Sequence, residues 1–199
     1  MKLSFVVGNG ISRRDQPLER LVEHGTVYAC NYAVLDVPCD HGIAVDRGML
    51  FDLLSQHQPR CTLWSRAKWC SVLAHATPVY PLPDQLYPPV TRWDAERHWG
   101  SGTHAVWKAA ESDSDIVVLI GFDLWNSGIN NNLYANRLHY NNHPVDPACW
   151  IHQLKETYTR HPNTSFVSIQ PDGWNIPESW QDCENFSVDN YSNLWSWLG

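Results

Sequence analysis

Residues 2–12 read KLSFVVGNGIS, a short apolar run that ends directly in two glycines. The run from Lys2 to Val7 has the length and apolar character of a buried strand. The turn Gly8-Asn9-Gly10 lets the backbone bend tightly and approach a ligand closely. Backbone amides beside a helix start can hold phosphate, although an ordinary strand-to-helix turn accounts for the same residues. This stretch predicts the first strand of a sheet with a candidate site at its carboxyl end.

Strand and helix patterns alternate along the rest of the chain. Apolar or β-branched runs predict strands at 26–30, 42–46, 61–64, 77–80, 116–120 and 164–169. Helices are expected at 17–24, 49–55, 102–110 and 146–160, and an apolar C-terminal segment, 191–197, is expected as a short docked helix. This alternation predicts an α/β fold, a Rossmann-like open and mostly parallel sheet with helices on both faces. The strand at 116–120 is expected inside the sheet.

The chain length indicates one domain, and the prolines indicate a loop within it. The 199 residues fit a single domain spanning 1–199. Five prolines between 78 and 89 are expected to break regular structure after Val79, which predicts a loop or lid at about 80–99.

Composition narrows the classes of protein. With 43% hydrophobic and 18% charged residues the chain is globular, and it has no apolar tract long enough to span a membrane. A net charge of −7 argues against binding governed by phosphate neutralisation. The first residues lack a signal-peptide pattern and the six cysteines lack a CxxC pair, so we expect a cytoplasmic protein with free thiols.

Further polar clusters follow or precede the predicted strands. They are Cys30-Asn31, Gly100-Ser101-Gly102 at a helix start, Gly121-Phe122-Asp123-Leu124-Trp125, and then Tyr134 with His139-Tyr140-Asn141-Asn142-His143. A doubly wound sheet brings the carboxyl ends of its strands to one crevice, so these clusters are expected to meet there. Each alone also fits a turn or an N-cap.

Two histidines in the last cluster suggest chemistry. His139 and His143 have the i, i+4 spacing of a metal pair, but Asn-Asn between them and Pro144 after them disfavour a helix, and no third ligand has matching spacing. A histidine near a strand-end crevice also suits a general base that takes a proton from a hydroxyl.

Taken in order, these motifs resemble a known enzyme family. The sequence is similar to the bacterial sialyltransferases of glycosyltransferase family 42 in GNGIS at 8–12, CN at 30–31, GSG at 100–102, IGFDLW at 120–125 and HYNNH at 139–143. The resemblance implies a GT-A-like single nucleotide-binding domain. It also implies a metal-independent, inverting glycosyltransferase without a cofactor, which uses a nucleotide-activated sugar, with a CMP-sugar favoured.

The resemblance also implies roles for particular residues. The nucleotide would be held by Gly8, Asn9, Gly10, Ser12, Asn31, Ser101, Gly102, Asp123 and Trp125. His143 would be the general base and Tyr134 would hydrogen-bond the departing phosphate. Asp46 and Arg47 would contact the donor sugar. Trp125 stands where the family has a second phosphate-binding tyrosine, and Asp46 where it has an asparagine.

Alternatives to this function remain open at the level of sequence. The donor and a glycan or other hydroxyl-bearing acceptor are the expected partners. A nucleotide or nucleotide-sugar binding protein without transfer activity fits the same crevice. An acceptor that is a nucleic-acid base is disfavoured by the negative net charge. The apolar C-terminal segment packs either on the sheet or across a subunit interface, so a homo-oligomer is also open.

Overall fold

In a computed structural model of the chain, the described residues include eight strands that pair in one sheet. The structure describes residues 1–73, 79–83, 86, 91–94, 99–124, 131–140, 143 and 145–199. The strands are β1 (Leu3–Val7), β2 (Thr26–Cys30), β3 (His41–Ile43), β4 (Thr62–Arg66), β5 (Val79–Leu82), β6 (Ile116–Ile120), β7 (Ser165–Ile169) and β8 (Phe186–Asp189).

All described strand pairs are parallel, in the order β5-β4-β3-β2-β1-β6-β7-β8. β1 pairs with β2 on one side and β6 on the other, so Val7 lies level with Ala29 and Ile120. The chain leaves the sheet at the same edge after each of these strands. The α/β class and the open parallel sheet predicted from the sequence are confirmed, including the internal position of β6.

Helices cover both faces of this sheet. They are α1 (Ala33–Asp36), α2 (Arg47–Asp52), α3 (Ala67–Leu73), α4 (Ser101–Glu111), α5 (Ala148–Arg160) and α6 (Tyr191–Leu198). Alternate residues of β1 point to opposite faces. Phe5 and Val7 pack in one core cluster with residues of α1, α2 and α6, whereas Val6 packs in another with residues of α4 and α5. Among the described residues, no helix is long and apolar enough to cross a membrane.

The structure differs from the sequence expectations at several elements, and the short helices α1 and α3 were not predicted. The helix expected at 17–24 is a 3-10 helix, Leu18–Glu23. β5 contains Pro81, although prolines were expected to end regular structure here; β5 is an edge strand, where a missing N–H leaves no broken pairing on the open side. β8 was not predicted. Most of the expected loop or lid at about 80–99 lies outside the described residues.

Candidate functional site

A cavity of about 460 Å³ opens at the carboxyl edge of the sheet. Its walls come from the segments that follow β1, β2, β3 and β6, from the first turn of α4, from residues 131–140 and His143, and from the first half of α5. Many of the predicted site residues line it: Gly8, Asn9, Gly10, Asn31, Asp46, Ser101, Gly102, Asp123 and His143. A parallel sheet produces this meeting because its strands all end at one edge.

Asp123 shapes the turn after β1. Its carboxylate accepts hydrogen bonds from the backbone N–H and the hydroxyl of Ser12, at 2.9 Å for the backbone bond. Burial raises the pKa of Asp123, and the bonds from Ser12 act in the opposite direction. The N–H of Gly10 donates to the carbonyl of Gly121 at 2.8 Å. Asp123 and Ser12 therefore hold the glycine turn against the end of β6.

Two groups of hydrogen bonds hold polar side chains of the cavity in place. The hydroxyl of Ser101 donates to Asn31 Oδ1 at 2.8 Å and accepts from the N–H of Val45 at 3.2 Å. Asn9 Nδ2 donates to the phenol of Tyr140 at 2.6 Å. The carbonyl oxygen of the Asn9 side chain is buried and has no hydrogen-bond partner among the described residues. A buried acceptor in this state favours a ligand that brings a donor.

Tyr140 is a site residue that the sequence analysis missed. Its ring lines the cavity, and burial raises its pKa well above the ordinary value, so the phenol keeps its proton near neutral pH. Since the oxygen accepts from Asn9, the hydroxyl hydrogen remains available to a ligand. The sequence offered one signal for it, since Tyr140 lies inside the motif HYNNH at 139–143. The interpretation of that motif considered only its two histidines.

The first turn of α4 forms another wall. Gly100 is the N-cap and makes no side-chain hydrogen bond, so the cap leaves the first-turn N–H groups without a side-chain acceptor. A Cβ on Gly100 would lie 3.0 Å from Trp150 Nε1, and one on Gly102 would lie 3.1 Å from the ring of Phe122. The glycines thus admit two aromatic rings over a helix N-terminus, a suitable place for an anion beside flat apolar surfaces.

The charged residues at the cavity are few. Arg66, at the end of β4, is buried, and its guanidinium donates to the carbonyl of Trp99 at 3.1 Å. Asp46, His139 and His143 are exposed at the cavity. Among the described residues, no group of three His, Cys, Asp or Glu side chains is arranged to hold a metal ion.

Three cavity residues other than glycine have left-handed backbone conformations. They are Asn31 (φ 53°), Leu124 (φ 58°) and His139 (φ 75°). Such conformations cost on the order of 1–3 kcal/mol each and concentrate at functional sites. Gly48 makes room for one of them, because a Cβ there would lie 2.7 Å from the imidazole of His139.

Comparison with known proteins identifies the fold. No protein-family model and no curated protein sequence matches the chain. Among solved structures, the monofunctional α-2,3-sialyltransferase Cst-I from Campylobacter jejuni is similar with a TM-score of 0.59 and 11% identity, over 99% of this chain and 92% of that one. The sialyltransferase CstII from Campylobacter jejuni, in complex with a substrate analogue, cytidine-5'-monophosphate, is similar with a TM-score of 0.52 and 14% identity, over 86% and 81%.

The chain has the fold of these sialyltransferases. At sequence identities this low, the structural similarity establishes the fold alone. The chemistry has to be argued from the residues of this chain. The fold implied by the sequence resemblance is therefore confirmed. That resemblance rested on the motifs GNGIS, CN, GSG, IGFDLW and HYNNH. The roles that the motifs imply for single residues stay predictions.

Three of the predicted site residues that the structure describes, Ser12, Arg47 and Tyr134, do not line the cavity. Ser12 lies behind the glycine turn, bonded to Asp123, and the guanidinium of Arg47 lies over the rings of Phe51 and Trp69. Tyr134 is buried, and its hydroxyl accepts from Arg13 and donates to Asp36, so Tyr140 and not Tyr134 presents a phenol to the cavity of this sialyltransferase fold. Trp125 lies outside the described residues.

Proposed function

We propose that the protein is a glycosyltransferase that uses a CMP-activated sugar. The observation that carries the proposal is one cavity, in a sialyltransferase-like fold, that combines paired amides, a helix N-terminus and an exposed histidine. A protein that only binds nucleotide would need the first two features and would have no use for a histidine beside them. The histidine therefore favours transfer over binding alone.

The cavity offers a separate surface to each part of a nucleotide-sugar. The amides of Asn9 and Asn31 suit the base and ribose, because each amide can both donate and accept. The N-terminus of α4 suits the phosphate. The phenol of Tyr140 adds a neutral donor beside Asn9. Asp46, exposed at the cavity, would meet hydroxyl groups of the sugar or of the acceptor.

Transfer would proceed by direct displacement. The acceptor hydroxyl oxygen forms a bond to the anomeric carbon while its proton passes to the imidazole of His143. The bond between that carbon and the phosphate oxygen breaks, and its electron pair leaves with CMP. Attack opposite the leaving group inverts the anomeric configuration. Helix amides and the Tyr140 phenol would stabilise the charge on the departing phosphate, so we propose that no metal or other cofactor is required.

The first experiment is a thermal-shift panel with CMP, CDP, UMP, UDP, GDP and AMP. A ligand that binds only the folded protein raises its Tm by mass action. Selective stabilisation by CMP supports the proposal. A preference for UDP or GDP changes the donor and retains a glycosyltransferase, whereas no shift with any nucleotide contradicts nucleotide binding altogether.

The second experiment separates the base from the nucleotide site. His143→Ala should abolish CMP release from CMP-sialic acid in the presence of a hydroxyl acceptor, and it should leave the Kd for CMP within about threefold, since a base acts on the acceptor. His57→Ala is the control because His57 is exposed and does not line the cavity. Equal loss of binding and turnover in His143→Ala would exclude the role of a base. Activity is expected to persist in EDTA, and its loss there would favour a metal.

A further inference from the structure

Arg13 is a buried cation where the central strands of the sheet end. It belongs to the 3-10 turn Ile11–Arg13 that follows the glycine turn Gly8-Asn9-Gly10. Only 4% of its side chain is exposed. Arginine is rarely buried to this extent unless its charge and donors find partners, so its contacts indicate what the residue does.

The side chain of Arg13 contacts four separate segments. Its Nε donates to the carbonyl of Gly8 at 2.7 Å, and its Nη2 donates to the phenol of Tyr134 at 2.6 Å. The same Nη2 lies 3.7 Å from the Asp36 carboxylate at the end of α1. A Cβ on Gly121 would lie 3.0 Å from Arg13 Cδ, so the stem crosses the turn after β6. One side chain thereby joins the ends of β1, β6 and α1 to the 131–140 segment.

The 131–140 segment carries one wall of the cavity. Its beginning is paired to the glycine turn through backbone bonds, from the N–H of Ile11 to the carbonyl of Asn131 at 2.7 Å and from the N–H of Leu133 to the carbonyl of Asn9 at 2.9 Å. Farther along the segment, the described attachments to the glycine turn are made by side chains. Tyr134 accepts from Arg13, which in turn donates to the carbonyl of Gly8, and Tyr140 accepts from Asn9.

We propose that Arg13 is a positioning residue that fastens the 131–140 segment to the glycine turn, so that both cavity walls are in place before a nucleotide binds. Arg13 does not line the cavity and acts through the Gly8 carbonyl and the Tyr134 hydroxyl. Its expected effect on CMP rests on the proposed function, whereas its effect on the segment does not.

The geometry requires arginine and not merely a positive charge. A guanidinium has donors in fixed directions, so Nε and Nη2 reach two acceptors at once. A lysine ammonium is a single point on a flexible stem and cannot reproduce both bonds. Arg13→Lys therefore keeps the charge opposite Asp36 and breaks the link between Gly8 and Tyr134. Tyr134→Phe breaks the same link from the other end and keeps the buried ring.

Hydrogen exchange of the protein without ligand tests the attachment directly. Arg13→Lys and Tyr134→Phe should each raise amide exchange of 131–140 about tenfold while β1 and β6 keep their protection, because only local opening becomes easier. Arg14→Lys is the matched control, since Arg14 is the next residue and is exposed. Unchanged exchange of 131–140 in the two variants would overturn the proposal, and so would a uniform rise across the whole sheet.

Calorimetric titration with CMP tests the consequence for binding. Both variants should weaken CMP binding about tenfold, because a wall displaced by about 1 Å loses its aligned contacts, and Arg14→Lys should stay within about twofold. The double variant should bind no more weakly than Arg13→Lys, since both changes break one link. Unchanged CMP affinity in both single variants overturns the positioning role. If the unmodified protein fails to bind CMP, the proposed function fails, and the exchange data alone still decide the attachment.

Discussion

The aromatic cluster and the cavity differ in the kind of side chain that forms them. Around α5, β7 and β8, four large rings pack together: Tyr158 lies 4.8 Å from Phe166, 4.9 Å from Phe186 and 5.3 Å from Trp180, measured between ring centroids. At the cavity, aromatic rings stand beside glycines, amides and residues with left-handed backbone conformations. The aromatic cluster gains apolar burial, and the cavity edge holds polar groups in place for a ligand at some cost in stability. Stability and binding should therefore respond to different mutations.

The largest effect is expected in the aromatic cluster. Phe166 is fully buried, so Phe166→Ala should cost about 3–5 kcal/mol through lost burial and a residual cavity. The Tm should fall by roughly 10 °C in a chain of this size. CMP affinity of the folded variant, measured by titration below the Tm, should stay within about twofold, because none of the four rings lines the cavity. A large loss of CMP affinity would show that the two regions are not separable.

A change in the glycine turn is expected to weaken CMP binding strongly and to cost less stability. In Gly10→Ala the added Cβ would meet the Asp123 carboxylate and would lie 2.6 Å from the carbonyl of Gly121. Overpacking of this kind costs about 1–3 kcal/mol, and the displaced turn should weaken CMP binding by about 100-fold. Gly173→Ala is a useful contrast, because Gly173 has φ +81° and no atoms near its Cβ position. That change should cost stability and leave CMP binding unaltered.

A smaller effect, dependent on pH, is expected at His104 in α4. This residue is 2% exposed, and burial together with the nearby charge of Arg66 lowers its pKa to about 3. The unfolded chain takes up the proton near pH 6.5 and the folded chain does not, so stability contributed by neutral His104 is lost as the pH falls from about 6.5 toward 3.

Between pH 7 and pH 5 this difference amounts to about 2 kcal/mol. Urea unfolding at the two pH values should show the loss in the unmodified protein and in His57→Gln, a surface control, and His104→Gln should reduce it. An identical pH dependence in His104→Gln would mean that other groups are responsible.

The smallest change in stability is expected at Tyr158, inside the aromatic cluster. The Tyr158 hydroxyl is buried with no hydrogen-bond partner among the described residues. Removing an unsatisfied buried group relieves its desolvation cost, so Tyr158→Phe should leave stability unchanged or raise it by about 1 kcal/mol. Thermal unfolding measures this. A clear loss of stability would point to an ordered water bound to the hydroxyl.

Much of the framework follows from local sequence pattern. Apolar runs of strand length located β1, β2, β6 and β7 almost to the residue, because a buried strand of a parallel sheet must be apolar on both faces. β8 was missed because its alternation is short and it lies at the sheet edge. Pro81 misled the interpretation for a related reason, since an edge strand tolerates a missing donor.

Some of the site residues could be found from the sequence, and others only from the tertiary structure. Glycines and amides directly after strands were found from the sequence, because the parallel sheet places every strand end at one edge. The irregular 131–140 segment has no period that reveals which side chains face inward. Only its long-range pairing with the glycine turn places Tyr140 in the cavity and Tyr134 on Arg13.

The sequence by itself determined most of the strands, their α/β alternation and the edge of the sheet where the predicted site residues meet, since these follow from local periodicity and glycine turns. Only the tertiary structure decided that Arg13 is buried, that Tyr140 presents the phenol to the cavity and that Ser12 bonds to Asp123. The reason is physical: local preferences act over a few residues, whereas the direction of a side chain in an irregular segment depends on partners more than one hundred residues away.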